Sequence, residues 1–173
     1  MIHFFKEALE KLDGDRIYRL TAELKERIGM REQNDLLEIM EYTKEGYSPV
    51  IDFGTWRVAI LNYCEELEPR NIHKFQKHEE TDEIFVLLKG ECILYVAEGT
   101  DTVGTIYSQS MEKNKLYNVK KSTWHSHTLS RDTMVLIVEN RDTDLSNSPE
   151  IELTEEQRRF LAAAVVQRTK NDY

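Results

Sequence analysis

Four of the chain's five histidines fall between His73 and His127, in two clusters that could do chemistry together. The first is Gln76-Lys77-His78-Glu79-Glu80-Thr81-Asp82-Glu83, which runs into an apolar stretch and then into Gly90. Alternate residues of a strand share a face, so Gln76 and His78 point the same way, and a turn before Glu83 could bring its carboxylate back beside them. The second is Trp124-His125-Ser126-His127, which puts His125 and His127 on one face. Imidazoles, a carboxylate and an amide on one wall of a barrel could hold a divalent metal or move protons. Each also has a purely structural reading: His78 and Glu83 as a strand-end ion pair, His125 as a backbone-bonded core residue, Gln76 and His127 as ordinary polar side chains. His73, five positions before His78, points to the other face of a regular strand, and His3 reads as an ordinary helix residue.

The elements that would position these groups are mostly strands. Trp56–Leu61, Ile72–Gln76, Glu83–Lys89, Glu91–Ala97, Val103–Ser108, Leu116–Val119, Trp124–Leu129 and Met134–Glu139 are short and rich in β-branched and aromatic residues, with turn signals between them. Many short strands at close spacing imply a barrel or sandwich. Ile84–Leu88 and Met134–Val138 are apolar throughout, so they need cover on both faces, from the barrel interior and from amino-terminal helices or a second subunit. Before the strands the period is helical. Phe5, Leu9 and Leu12 mark one helix, Ile17, Leu20, Leu24 and Ile28 a second, and Leu36, Leu37 and Met40 a third that Asn34 or Asp35 caps and Gly46 and Pro49 end. After the strands, Thr154-Glu155-Glu156-Gln157 is a capping box for a helix whose apolar face is Phe160, Leu161, Ala164 and Val165. The expected organisation is a helical extension over 1–49, a barrel over 50–145 and a helix over 146–173, within one domain.

Composition narrows the function classes. The 23 Lys and Arg residues against 32 Asp and Glu give a formal charge of −9, which argues against nucleic acid or an anionic membrane as the main partner. Lys113, Lys115, Lys120 and Lys121 form the one local basic cluster, and a solvated loop face accounts for them. No apolar run approaches the roughly 18 residues of a membrane span, and Lys6, Glu7 and Glu10 interrupt the place of a signal peptide. The expectation is a cytoplasmic protein. Cys64 and Cys92 are too few for a disulfide framework or zinc knuckle and read as core or strand thiols.

The two clusters together resemble the motifs of the cupin superfamily. The first cupin motif is G-x5-H-x-H-x3,4-E-x6-G, and this chain has Gln76-x-His78-x4-Glu83-x6-Gly90, keeping the second His, the Glu and the closing Gly. The second is G-x5-P-x-G-x2-H-x3-N, of which Lys120-x-Ser122-x2-His125 with Leu129 last keeps only the His. The resemblance covers the all-β middle of the chain and leaves the terminal helices open. It implies an all-β fold, a double-stranded β-helix (jelly roll) barrel with helical extensions at both ends.

Carried over residue by residue, the resemblance implies that His78, Glu83 and His125 hold one divalent transition metal, Fe, Mn, Zn or Ni, with Gln76 where the first His would stand. An amide oxygen is a weaker donor than imidazole, so the set becomes two His and one carboxylate with coordination positions left for water or substrate. His127 could replace the missing imidazole or act as a catalytic acid or base. The fold hosts many reactions, so it does not choose among them. The leading reading is a metal-dependent protein acting on a small polar metabolite, a sugar or organic acid, by isomerase-like proton transfer. An Fe(II) dioxygenase and a non-enzymatic ligand-binding cupin are the alternatives. A homodimer is expected, since cupins commonly pair and the apolar strands call for cover.

Overall fold

The computed structural model describes residues 14–27 and 36–171, in two units divided after Met40. In the first unit, α1 (Gly14–Arg27) is the expected second helix, with Leu20 and Leu24 exposed. The helix expected over Phe5–Leu12, His3 and the segment around Ile28 lie outside the described residues. The expected third helix needs correction. Leu36 is helical, but Leu37 to Thr43 carry no helix.

The second unit holds ten strands in two five-stranded antiparallel sheets. The strands are β1 (Gly46–Phe53), β2 (Trp56–Asn62), β3 (Lys74–Gln76), β4 (Glu83–Lys89), β5 (Cys92–Ala97), β6 (Ile106–Ser110), β7 (Leu116–Val119), β8 (Trp124–Leu129), β9 (Met134–Asn140) and β10 (Glu150–Glu152). One sheet runs β1-β2-β9-β4-β7 and the other β10-β3-β8-β5-β6, the jelly-roll arrangement. Two strands were not anticipated. Gly46 and Pro49 belong to β1, so the sheets begin before Val50. Pro49 is tolerated there because β1 is an edge strand and its register with β2 shifts between Pro49 and Ile51. The three-residue β10 pairs with β3 beyond the expected end of the barrel.

Strand phase decides what lies between the sheets. On the first sheet Ala59 and Leu61 of β2, Val135 and Ile137 of β9, and Phe85 and Leu87 of β4 point inward and are buried. They meet Cys92, Leu94 and Leu129 from the second sheet. The second sheet's outer face, Ile93, Tyr95, Ala97 and Trp124, is covered in turn by Ile72, Phe75, Leu153 and Leu161. Leu161 belongs to α2 (Glu155–Asn171), and its carbonyl accepts a hydrogen bond from Tyr95 Oη at 3.2 Å. The capping box forms as expected: Thr154 N–H donates to Gln157 Oε1 at 2.8 Å, and Gln157 N–H to Thr154 Oγ1 at 3.3 Å. The described helices include none long and apolar enough to cross a membrane.

Gly90 closes β4 and aims the chain into β5. Its φ is +71°, and a Cβ there would stand 2.6 Å from Thr133 Cα, so both conformation and close approach demand glycine. Thr133 holds the facing turn by donating through Oγ1 to the Glu91 carbonyl at 2.7 Å. Gly90→Ala should therefore destabilise the protein by about 1–3 kcal/mol in chemical denaturation, and an unchanged midpoint would contradict this account of the turn.

Candidate metal centre

His78, Glu83 and His125 come from three places in the chain. Gln76 ends β3, and His78 follows it just beyond the strand, while Glu83 is the first residue of β4 and shares the inward phase of Phe85 and Leu87. His125 lies on β8, directly opposite Gln76 in the register between β3 and β8. The loop between them is tied down, since Ser122 N–H donates to the His78 carbonyl at 2.7 Å. Asp82 anchors the same loop by accepting from Lys120 Nζ, Asn118 Nδ2 and the Lys121 N–H at 2.8–3.0 Å. Those bonds hold its carboxyl down at about 2, while Lys120 stays exposed, as a solvated loop face requires.

The ring orientations are set by each histidine's other nitrogen. His125 Nδ1 lies 2.9 Å from the Thr123 carbonyl, which can only accept, so Nδ1 carries the hydrogen. Ser148 Oγ donates to Asn147 Oδ1 at 3.0 Å, which leaves it to accept from His78 Nδ1 at 2.7 Å. In both neutral rings the Nε2 lone pair then faces Glu83 Oε2, at 3.0 Å from His78 and 2.9 Å from His125. Three acceptors thus converge in a buried site, with their ligand atoms within 4.8 Å of one another. The His125 contact is at ion-pair distance but lacks hydrogen-bond geometry, leaving Nε2 a buried nitrogen without a partner. Two imidazoles and one carboxylate whose ligand atoms meet at one buried point suit a divalent transition ion, which would take the place of the hydrogen that His78 Nε2 shares with Glu83.

The electrostatics agree. Burial works against ionising Glu83, but the His125 and His78 rings more than offset it and take its carboxyl down to about 2. Burial likewise opposes a charge on His78, yet Glu83 raises its pKa above the usual histidine value. The cluster draws positive charge, which a proton supplies when no metal does.

His127 is different. It sits on β8 two residues beyond His125, it is buried, and neither ring nitrogen has a hydrogen-bond partner. Phe85 packs against both rings, 5.6 Å from His127 and 6.1 Å from His125 between centroids. His127 is not among the convergent ligand atoms, but it and Gln76 line the same cavity of about 660 Å³ as His78 and Glu83. His73 lies outside it, exposed and beside Arg158. Cys92 is in the core, whereas Cys64 stands at the cavity wall.

The sequence alone does not point to several polar groups of this cavity, among them Tyr47, Arg57, Glu139 and the Ser148 that orients His78. Strand phase was the available signal for Arg57 and Glu139. Glu139 shares the inward phase of Val135 and Ile137, and Arg57 that of Ala59 and Leu61.

The two sheets form a jelly roll, and its buried His-Glu-His group could bind a metal. No protein-family model matches the chain, and no curated protein matches it at a significant level. Solved structures similar to it include Pac13 from Streptomyces, described as a nucleoside dehydratase, with 9% identity, a TM-score of 0.47, and 67% of this chain and 87% of that chain covered. A cupin-2 domain containing protein from Shewanella frigidimarina has 16% identity and a TM-score of 0.40, covering 58% of this chain and 85% of its own. WlaRA from Campylobacter jejuni, a TDP-fucose-3,4-ketoisomerase, has 18% identity and a TM-score of 0.42, covering 56% of this chain and 67% of its own. At these identities the likeness is one of fold, not of reaction.

Burial takes the His127 pKa down from 6.5 to about 4, with a further contribution from His125 against an opposing one from Glu83. Between those values the unfolded chain binds a proton that the folded chain refuses, so folding stability should fall as the pH drops from about 6.5 towards 4. His127→Leu should flatten that slope in denaturation measured at a series of pH values. A slope unchanged by the substitution would mean that water reaches the ring.

Proposed function

We propose that this protein binds one divalent transition metal per chain through His78, Glu83 and His125 and acts on a small polar metabolite held in the adjoining cavity. The observation that carries the reading is the convergence of two oriented Nε2 lone pairs on one buried carboxylate oxygen. A divalent ion held there would supply Lewis acidity towards a substrate carbonyl, carboxylate or hydroxyl oxygen.

The chain's own residues would do the rest. Thr123 and Ser148 would keep both imidazoles in the tautomer that ligates, with the Nε2 of each ring facing Glu83. Gln76, opposite His125 and facing the cavity, is a weak donor that would leave a coordination position open and orient a water there. His127, neutral at pH 7 and without a partner for either nitrogen, is placed to take or return a proton from substrate in a site from which Phe85 and Ile137 help exclude water. An acid–base residue beside a centre that polarises oxygen suits isomerase-like proton transfer.

The reading requires loss of metal when a ligand is lost. His78→Ala or His125→Ala should weaken Zn(II) or Mn(II) binding by about 100-fold or more in calorimetry, while His127→Ala should leave it nearly unchanged. Ligand variants that keep the parent's metal content would refute the assignment.

A homodimer is the second part of the proposal. On the outer face of the first sheet the register aligns Val58 with Val138 and Ile60 with Leu136, and then Ile84 with Val138 and Val86 with Leu136. These six aliphatic residues are only half-buried, whereas Ile93, Tyr95, Ala97 and Trp124 on the second sheet's outer face are buried. A continuous apolar surface across three strands is cover for a second copy of the chain. Sedimentation equilibrium at micromolar concentration should give the dimer mass, and Leu136→Lys should shift it to monomer; a monomeric parent would remove this part of the proposal.

A further inference from the structure

Beside the centre, one rung of the first sheet carries charge where every deeper rung is apolar. Arg57 of β2 pairs in register with Glu139 of β9, and because Ile84 pairs with Val138, Glu83 of β4 is the next neighbour of Glu139 on the same face. From β1, Tyr47 Oη donates to Glu139 Oε1. All four residues line the cavity. Among the described residues no cation lies within ion-pair distance of Glu139; the Arg57 guanidinium pairs through Nε with Asp52 at 3.3 Å, and Arg57 and His78 act on Glu139 only from farther away.

For folding alone this is a poor choice of residue. Two carboxyl groups directly opposite each other on adjacent strands repel, and a buried carboxyl without a cation is costly where a leucine would pack. Burial first, and then the charge of Glu83, push the Glu139 carboxyl above its ordinary range, although its bond from Tyr47 and the charges of His78 and Arg57 work the other way. A residue that the fold would do better without is a candidate for use by a ligand.

The chemistry of the rung selects the ligand. A guanidinium donates, a carboxyl accepts, and a phenol does both, which matches adjacent hydroxyl groups. The cavity's described lining carries the carboxyl groups of Glu66, Glu83, Glu139 and Asp144 against the single guanidinium of Arg57. A divalent ion offsets two of those charges and leaves no excess of positive charge to attract an acid.

We propose that Tyr47, Arg57 and Glu139 form a recognition rung for the hydroxyl groups of a neutral, sugar-like polyol, and that the site discriminates against carboxylate-bearing metabolites. The proposal rests on the cavity reading above and deepens it by choosing between sugar and organic acid. The rung sits beside the centre, so a ligand bound there could also present an oxygen towards His78, Glu83 and His125.

The test uses the whole chain with and without Zn(II), and reads binding by saturation-transfer NMR and calorimetry. The neutral probes are D-xylose, D-fructose and D-glucose, and the acids are D-gluconate and D-glucuronate. At least one neutral sugar should bind about tenfold or more tightly than both acids, and Glu139→Gln and Tyr47→Phe should each weaken it about tenfold, the size of one lost hydrogen bond to a charged group. Zn(II) affinity should be unchanged in both variants, and the melting temperature of Glu139→Gln unchanged or raised. Acids that bind as well as the sugars, a sugar affinity indifferent to both substitutions, or no binding by any neutral sugar would overturn the rung. Should Zn(II) fail to bind while a sugar binds in a Glu139-dependent way, the metal reading falls and the rung stands. Zn(II) binding without sugar binding gives the converse.

Discussion

Three lone pairs meeting inside a protein need a positive charge between them, and much of this barrel is arranged around that need. Without a metal ion, a proton shared by His78 Nε2 and Glu83 Oε2 must supply that charge, and His125 Nε2 is left buried without a partner. Their orientation is not a local accident. The Thr123 carbonyl fixes one ring, and Ser148, itself held by Asn147, fixes the other. The segments that supply those partners are fastened elsewhere: the loop bearing Thr123 by Asp82 and the His78 carbonyl, and the segment around Ser148 by pairs such as Glu79 N–H to the Asn147 carbonyl at 2.9 Å.

The two sheets contribute unequal parts. The second sheet carries Gln76, His125 and His127, and its outer face is sealed by α2 and its neighbours. That makes it the rigid wall. The first sheet contributes Glu83 and the row of Arg57 and Glu139 on one rung, above an interior filled by Ala59, Leu61, Phe85, Leu87, Val135 and Ile137. The barrel is therefore a packed core with polar groups at one end, so ligand and metal meet next to a well-supported apolar floor.

What the sequence made legible follows from these physical features. The site's first residues could be read because motif spacing reflects steric facts: Gly90 must be glycine against Thr133, and His78 and Glu83 are separated by the turn that brings them together. β4 and β9 could be read as covered strands because both faces are apolar, and they lie side by side in the first sheet. β1 was hidden by Gly46 and Pro49, which look like the end of a helix and are compatible with a strand only at a sheet edge. β10 is too short for any periodicity to show. Tyr47, Arg57 and Glu139 were missed for another reason. Charged residues at strand ends ordinarily face water, and the register across β2, β9 and β4 is what sets Arg57 and Glu139 on one interior rung with Glu83, which Tyr47 reaches from β1.

The central claim is that a cation belongs where the three acceptors meet. Anomalous diffraction from crystals grown with Zn(II), recorded on both sides of the zinc absorption edge, tests it at atomic resolution. The account requires one strong peak per chain, about 2.0–2.2 Å from His78 Nε2, His125 Nε2 and a Glu83 carboxylate oxygen. A map with no peak there, or with zinc held only by surface histidines and carboxylates such as His73 or Glu79, would contradict it.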